Sequence, residues 1–252
     1  MKQLAGLILI ILLIAQSAFT QDIYDLVKEG NEYYINGEFE SAIDKYEAVL
    51  DSGYVSPELY YNLGNAYFKS HKLTMALVQY ERALLLDPND EEIINNLALA
   101  RQYVVDEIDA LPELLIKKWY RTFITIFTID QWAYISISTF IFALVLFLIY
   151  LFTRTINLRR FSFWLAFVFL FLAFSTYVFS YHRKKNIYDH NFAIILSPSV
   201  TIKGSPDNSG TDLFQLHEGT KVKIIDQMGE WKEIRLSDGN VGWLRDENLI
   251  KI

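Results

Sequence analysis

Four kinds of hydrophobic pattern follow one another along the chain. After a lone Lys2, residues 4–14 are uncharged and almost wholly apolar, and the small and polar residues Ala15, Gln16, Ser17 and Ala18 come next. Residues 22–105 interleave apolar and aromatic positions with many carboxylates. Residues 132–152 and 161–181 are each 21 residues long without Asp, Glu, Lys, Arg or His. From residue 192 the text turns to short alternating runs, at 200–203, 221–226, 231–236 and 241–244, separated by turn residues. The first pattern has secretory signal architecture, and at this length it falls short of the roughly 20 apolar residues that span a bilayer. Residues 1–20 are therefore read as a signal peptide with cleavage before Gln21, an uncleaved anchor being the alternative; in both cases the chain from Gln21 onward is exported. The other patterns predict a helical domain, a pair of spans and a small all-β barrel.

The helical domain repeats. A shift of 34 positions aligns Gly30 with Gly64, Asn31 with Asn65, Tyr33 with Tyr67, Tyr34 with Phe68, Ala42 with Ala76, Tyr46 with Tyr80 and Leu50 with Leu84. A 34-residue period with small residues where paired helices cross, and aromatics beside them, resembles the tetratricopeptide repeat family. The resemblance implies an α-helical solenoid within residues 21–110, with repeats at about 23–56 and 57–90 and a capping helix at 91–105. Tyr54 stands where the second copy has Pro88. Because about three such repeats are needed for stability, so short a solenoid is expected to lean on a partner subunit or on the juxtamembrane segment. The family lines a concave groove with its first helices, and the matching positions here are Lys28, Asn31, Tyr34, Tyr61, Asn62, Asn65, Phe68 and Asn95. Amides that donate and accept, beside aromatic faces, suit an extended peptide. The asparagines after Gly30 and Gly64 are equally explained as ordinary repeat residues.

Charge separates the modules. Residues 22–113 hold six basic and nineteen acidic residues, net −13, which argues against an acidic peptide in the groove; residues 114–185 hold nine basic and one acidic, net +8. The two uncharged stretches are long enough to be transmembrane helices 132–152 and 161–181 joined by a loop at 153–160. Trp132, Tyr134, Tyr150, Trp164, Tyr177 and Tyr181 stand at or near their ends, where aromatic rings favour the headgroup region. Basic residues flank both sides, so the leader decides orientation: the loop is cytoplasmic, and the repeat and the barrel share the periplasmic side. Within the juxtamembrane segment 111–131, Lys117, Lys118, Trp119, Tyr120, Arg121 and Phe123 read either as an interfacial helix on the bilayer or as a plain lead into the first span. Ionisable residues are missing from both spans, which speaks against an ion pathway.

In the last module, Ser205-Pro206, Gly229-Glu230-Trp231 and Gly242-Trp243-Leu244 follow in the order of bacterial SH3-like domains, and the resemblance covers residues 192–252. Such domains resemble cell-wall or peptide binders, although Thr201-Ile202-Lys203 replaces the frequent Asn-Val-Arg. Trp231 and Trp243 could present a ligand face, but tryptophan in so small a barrel is more often core.

With 52% hydrophobic and 15% aromatic residues, a net charge of −7 and no cysteine, the composition excludes a disordered chain, a general nucleic-acid binder and thiolate chemistry. His71, His182, His190 and His217 lack metal-ligand spacing, and there is no nucleophile motif or phosphate-binding loop. The reading is of no enzyme, with no catalytic residue, metal or cofactor. The whole order of modules resembles the BatE-type proteins of aerotolerance operons. That resemblance implies a membrane-bound partner in an assembly with von Willebrand A-type Bat proteins and a MoxR-type ATPase, linked to oxidative or envelope stress. With the leader and the two spans, the reading is of a multi-pass, non-catalytic scaffold of the bacterial inner membrane whose repeat groove holds another Bat protein or an exported client. The alternative is a peptidoglycan-binding anchor or sensor working through the SH3-like domain.

Overall fold

A computed structural model describes residues 23–109, 111–112, 114–188 and 191–252, so the expected leader lies outside the described residues. The chain divides into two compact units. One joins Met1–Leu111 to Asn191–Ile252; the other is Pro112–His190.

The described part of the first unit opens with five helices: α1 over residues 23–35, α2 Phe39–Asp51, α3 Pro57–Lys69, α4 Leu73–Leu86 and α5 Glu91–Arg101. Their limits come from local chemistry. The Ser56 hydroxyl accepts from the Leu59 N–H at 3.1 Å and Pro57 occupies the first turn of α3. The Asp90 carboxylate accepts from the N–H groups of Glu92 and Ile93 at the start of α5, while α4 stops ahead of Pro88.

The 34-residue period is repeated in atoms. Where α1 turns into α2, Gly37 takes φ +80 and donates to the Tyr34 carbonyl; where α3 turns into α4, His71 takes φ +61 and donates to the Phe68 carbonyl. A Cβ placed on Gly30 would lie 2.6 Å from Cε1 of Tyr46, and one on Gly64 2.7 Å from the ring of Tyr80. The neighbouring asparagines finish the motif, since Asn31 Oδ1 accepts from the Tyr46 hydroxyl and Asn65 Oδ1 from the Tyr80 hydroxyl, each at 2.7 Å. Gly, Asn and Tyr thus form one interlocking unit per repeat.

Seven antiparallel strands come after residue 191: β1 Phe192–Ile195, β2 Ser199–Lys203, β3 Asp212–His217, β4 Lys221–Met228, β5 Trp231–Arg235, β6 Val241–Arg245 and β7 Leu249–Lys251. Their spatial order is β3-β2-β6-β5-β4-β1-β7. Ala193, Ile195, Ile202, Leu216, Val222, Ile234, Leu236 and Leu244 form the core of this sheet. Neither Trp231 nor Trp243 belongs to it; both are half-buried on the opposite face of the β5–β6 pair.

The sheet does not stand alone. Ile194 and Ile252 complete the same buried cluster as Leu77, Val78, Tyr80 and Leu97 of the helices. At Gly219, φ +86, the turn before β4 comes so close that a Cβ would lie 3.0 Å from Val104 and 3.1 Å from Leu77. The carboxylate of Glu81 on α4, only 3% exposed, meets Arg101 of α5 and the Lys221 ammonium of β4, the latter at 2.6 Å. Described residues after α5 join the two parts: Val104 packs with the helices, Ile108 with the sheet core, and the Leu111 N–H donates to the Ser237 carbonyl. The support expected from a partner or the juxtamembrane segment therefore comes from the C-terminal sheet of the same chain.

The second unit holds α6 Leu115–Thr125, α7 Ile129–Phe152 and α8 Ile156–Tyr188. Thr128 and Gln131 make a reciprocal capping box at the start of α7. The last two helices form an antiparallel hairpin with the small side chains of Ala143, Ala166 and Ala173 buried. Ser136 donates to the Ala173 carbonyl and Ser180 to the Ile129 carbonyl across it. Both are long and apolar enough to cross a membrane. They run past the uncharged stretches, because Arg159, Arg160, Lys184 and Lys185 are good helix formers with no proline or glycine beside them. The turn is only residues 153–155. Trp132, read as a headgroup anchor, is instead buried, its indole donating to the Ile124 carbonyl at 2.9 Å.

Candidate functional site

The first helices of the repeats bring most of the expected groove residues together. Asn31, Tyr34, Asn62 and Asn65 line a cavity of about 270 Å³ between α1 and α3. A second, of about 280 Å³, is walled by Tyr34, Tyr61, Asn65, Phe68, Lys69 and Asn96. Lys28 and Asn95 line neither. Lys28 is exposed and faces Glu32 at 3.8 Å, one turn along its own helix; Asn95 is exposed.

Asn96 takes the place expected for Asn95. Its amide donates to the Tyr61 hydroxyl at 2.8 Å and to Asn65 Oδ1 at 3.0 Å. The signal was present, since Asn96 is Asn62 shifted by 34. Asn65 Oδ1 thus accepts from both Tyr80 and Asn96, which holds the second cavity's wall in a fixed network. Asn62 is half-buried with no hydrogen-bond partner for its side chain among the described residues, and it is the amide best placed to meet a ligand. Burial, with Tyr61 nearby, pushes the Tyr34 phenol above its ordinary range, so it is neutral and able to donate at any physiological pH. Apart from Lys69 at the second cavity, the lining is uncharged, amide-rich and aromatic: it can hydrogen-bond a backbone and bury an apolar side chain.

On the sheet, Trp231 and Trp243 share the outer face with Glu233 and Arg245, and the Arg245 guanidinium lies 5.7 Å from the Trp231 ring centre. Asn208 accepts from the same guanidinium at 3.1 Å.

Among the described residues, one histidine–carboxylate pair has the look of catalytic machinery, and it is built into the junction of helices and sheet. Asp106 accepts from the His217 N–H at 2.7 Å and the Thr220 hydroxyl at 2.6 Å, and faces His217 Nδ1 at 2.8 Å. Burial alone would raise its carboxyl, but these hydrogen bonds outweigh burial and hold it below the usual aspartate range. With its lone pairs so engaged, Asp106 fastens a turn.

Residues 57–90 match the family model described as tetratricopeptide repeat, and residues 30–70 match a second, described as TPR repeat. No curated protein matches the chain. Residues 30–90, which carry most of the cavity-lining side chains, are therefore tetratricopeptide repeats, a kind of module that suggests protein–protein interaction; Asn96 on α5 lies beyond the match.

Proposed function

We propose that the protein is a non-catalytic membrane scaffold whose α7–α8 hairpin spans a bilayer and whose concave repeat face holds a protein partner. One observation carries the reading. The stretches before and after the hairpin are halves of a single folded unit, sharing a core and the buried Glu81 with its two cations. Two halves of one core must lie on one side of a membrane, which requires an even number of crossings between them. Two helices of sufficient length and apolarity are what the described residues between them supply. The leader read at residues 1–20 favours the periplasm of a bacterial inner membrane as that side. The likeness of the module order to BatE-type proteins supports a Bat-type membrane protein or an exported client as the occupant of the groove.

The chain has no cysteine, so single cysteines report sidedness cleanly. Glu91→Cys on α5 and Asn240→Cys before β6 are expected to react with an impermeant maleimide from the periplasmic side of spheroplasts, and Arg154→Cys only after permeabilisation. Opposite sidedness of positions 91 and 240 would end the proposal. Partner capture is tested by detergent co-purification with Asn62→Ala. Asn31 and Asn65 are poor choices, because each also holds a buried tyrosine. Loss of the partner with unchanged stability is expected; an unchanged set of partners counts against the groove.

The outward placement of Trp231 and Trp243 favours a second reading, in which the sheet is an SH3-like domain that binds peptidoglycan and the hairpin tethers it. Binding to purified sacculi that is lost in Trp231→Ala/Trp243→Ala but kept in Asn62→Ala would favour it.

A further inference from the structure

We propose that α6 is an interfacial anchor that binds anionic phospholipid headgroups where the hairpin enters the bilayer, an inference that rests on the hairpin spanning as described above. At 3.6 residues per turn, the helix sorts into two sides. Leu115, Ile116, Trp119, Tyr120, Phe123 and Ile124 fill one; Lys117, Lys118, Arg121 and the threonines fill the other.

The apolar side is itself divided. Its inner part touches the hairpin: Ile124 is buried, and the rings of Tyr120 and Phe123, still 43 and 48% exposed, meet Phe179 of α8 edge-on at 6.4 and 5.5 Å. Its outer part has no cover, Leu115, Ile116 and Trp119 being 71, 83 and 74% exposed. Three large apolar side chains in a row are stable in that state only against an apolar phase.

The place and the charge say which phase. The Ile124 carbonyl holds the Trp132 indole near the start of α7, and the Tyr120 ring lies edge-on to His182 near the end of α8. The helix is thus fixed at the end of the hairpin where one span begins and the other finishes. Lys117, Lys118 and Arg121 join Lys184 and Lys185 at that end, and Asp130 is the one carboxylate in residues 114–185. A zwitterionic surface would take the apolar row but offers no net countercharge to a basic cluster; phosphate-bearing anionic headgroups match both.

The test uses the full chain in vesicles, with an environment-sensitive NBD label on Ile116→Cys and, separately, on Phe140→Cys in mid-span. Vesicles are phosphatidylcholine alone or an equal mixture with phosphatidylglycerol. The label at 116 is expected to be blue-shifted and shielded from acrylamide in the mixture and much less so in phosphatidylcholine. Since each cation near an anionic surface contributes about fivefold, Lys117→Gln/Lys118→Gln/Arg121→Gln is expected to lower the shielded fraction tenfold or more, with position 140 still shielded. If 140 is shielded but 116 is open to acrylamide in both lipids, this inference alone is overturned. Equal shielding of 116 in the two lipids overturns the anionic headgroup. Quenching at 140 overturns the spanning hairpin and this inference with it.

Discussion

His71 and Gly37 hold the same place in the two repeats, yet only the second has a side chain in the left-handed region, at φ +61. That conformation costs a residue with a Cβ about 1 kcal/mol, and the backbone bonds around it leave no other choice. His71→Gly is therefore expected to stabilise the protein by about 0.5–1 kcal/mol, read as a rise in melting temperature, whereas Gly37→Ala should lower it. The buried tyrosines give a different signature. Burial, with Tyr34 adding to it, pushes the Tyr46 phenol up to about 12 from an ordinary 10, and burial raises Tyr80 and Tyr67 too. A folded-state value above the unfolded one favours the protonated form, so this contribution is whole below pH 10 and is lost as pH climbs toward 12. Tyr46→Phe removes the bond to Asn31 at a cost of about 1 kcal/mol near neutrality. In return it should flatten the alkaline fall in stability, which denaturant melts across that range would detect.

Where α4 and α5 meet β4, the decisive contacts join residues far apart in the chain. Glu81 reads as one more solvated carboxylate on a repeat helix, and nothing near it points to Lys221, 140 residues away. The same holds for Asp106, whose partners His217 and Thr220 stand 111 and 114 residues on. The repeat helices were legible because Gly30, Tyr46 and their copies return at a fixed period, and the strands because turn residues punctuate alternating runs. The clustering of Asn31, Tyr34, Tyr61, Asn62, Asn65 and Phe68 was legible for the same reason, whereas Asn96, which is Asn62 carried forward by 34, was not among the expected positions. A junction between non-repeating modules has no period to betray it. Its strength can be measured. Glu81→Gln leaves Arg101 and Lys221 facing each other, but both remain accessible enough to hydrate, so the expected loss is about 1–3 kcal/mol, below the range for a fully buried pair. Asp106→Asn turns an acceptor of three hydrogen bonds into one that must present an amide to donors, at about 1–3 kcal/mol. The depressed Asp106 carboxyl also means that its contribution is whole above the usual aspartate range and fades as pH falls through the folded value; wild type and Asp106→Asn should converge in stability in acid.

At the scale of the whole molecule, the hairpin behaves as an insertion into a folded unit. Two repeats fall short of the number that usually folds alone, and Ile194 and Ile252 occupy the core that a further repeat helix would otherwise close. Chain order alone suggests beads on a string; the shared core makes the first and last stretches depend on each other. Replacing residues 112–190 with a flexible Gly/Ser linker should then yield a protein that stays in solution without detergent and melts in a single cooperative step. Helical circular dichroism and the fluorescence of Trp231 and Trp243 should change together, and Glu81→Gln should move both signals by the same amount. Deleting 191–252 from that form should strip the cover from Leu77 and Val104 and lower the helical melting temperature sharply. Two separate transitions, or a helical repeat indifferent to the loss of the sheet, would show that the halves fold independently. The requirement for an even number of membrane crossings would lapse with that result.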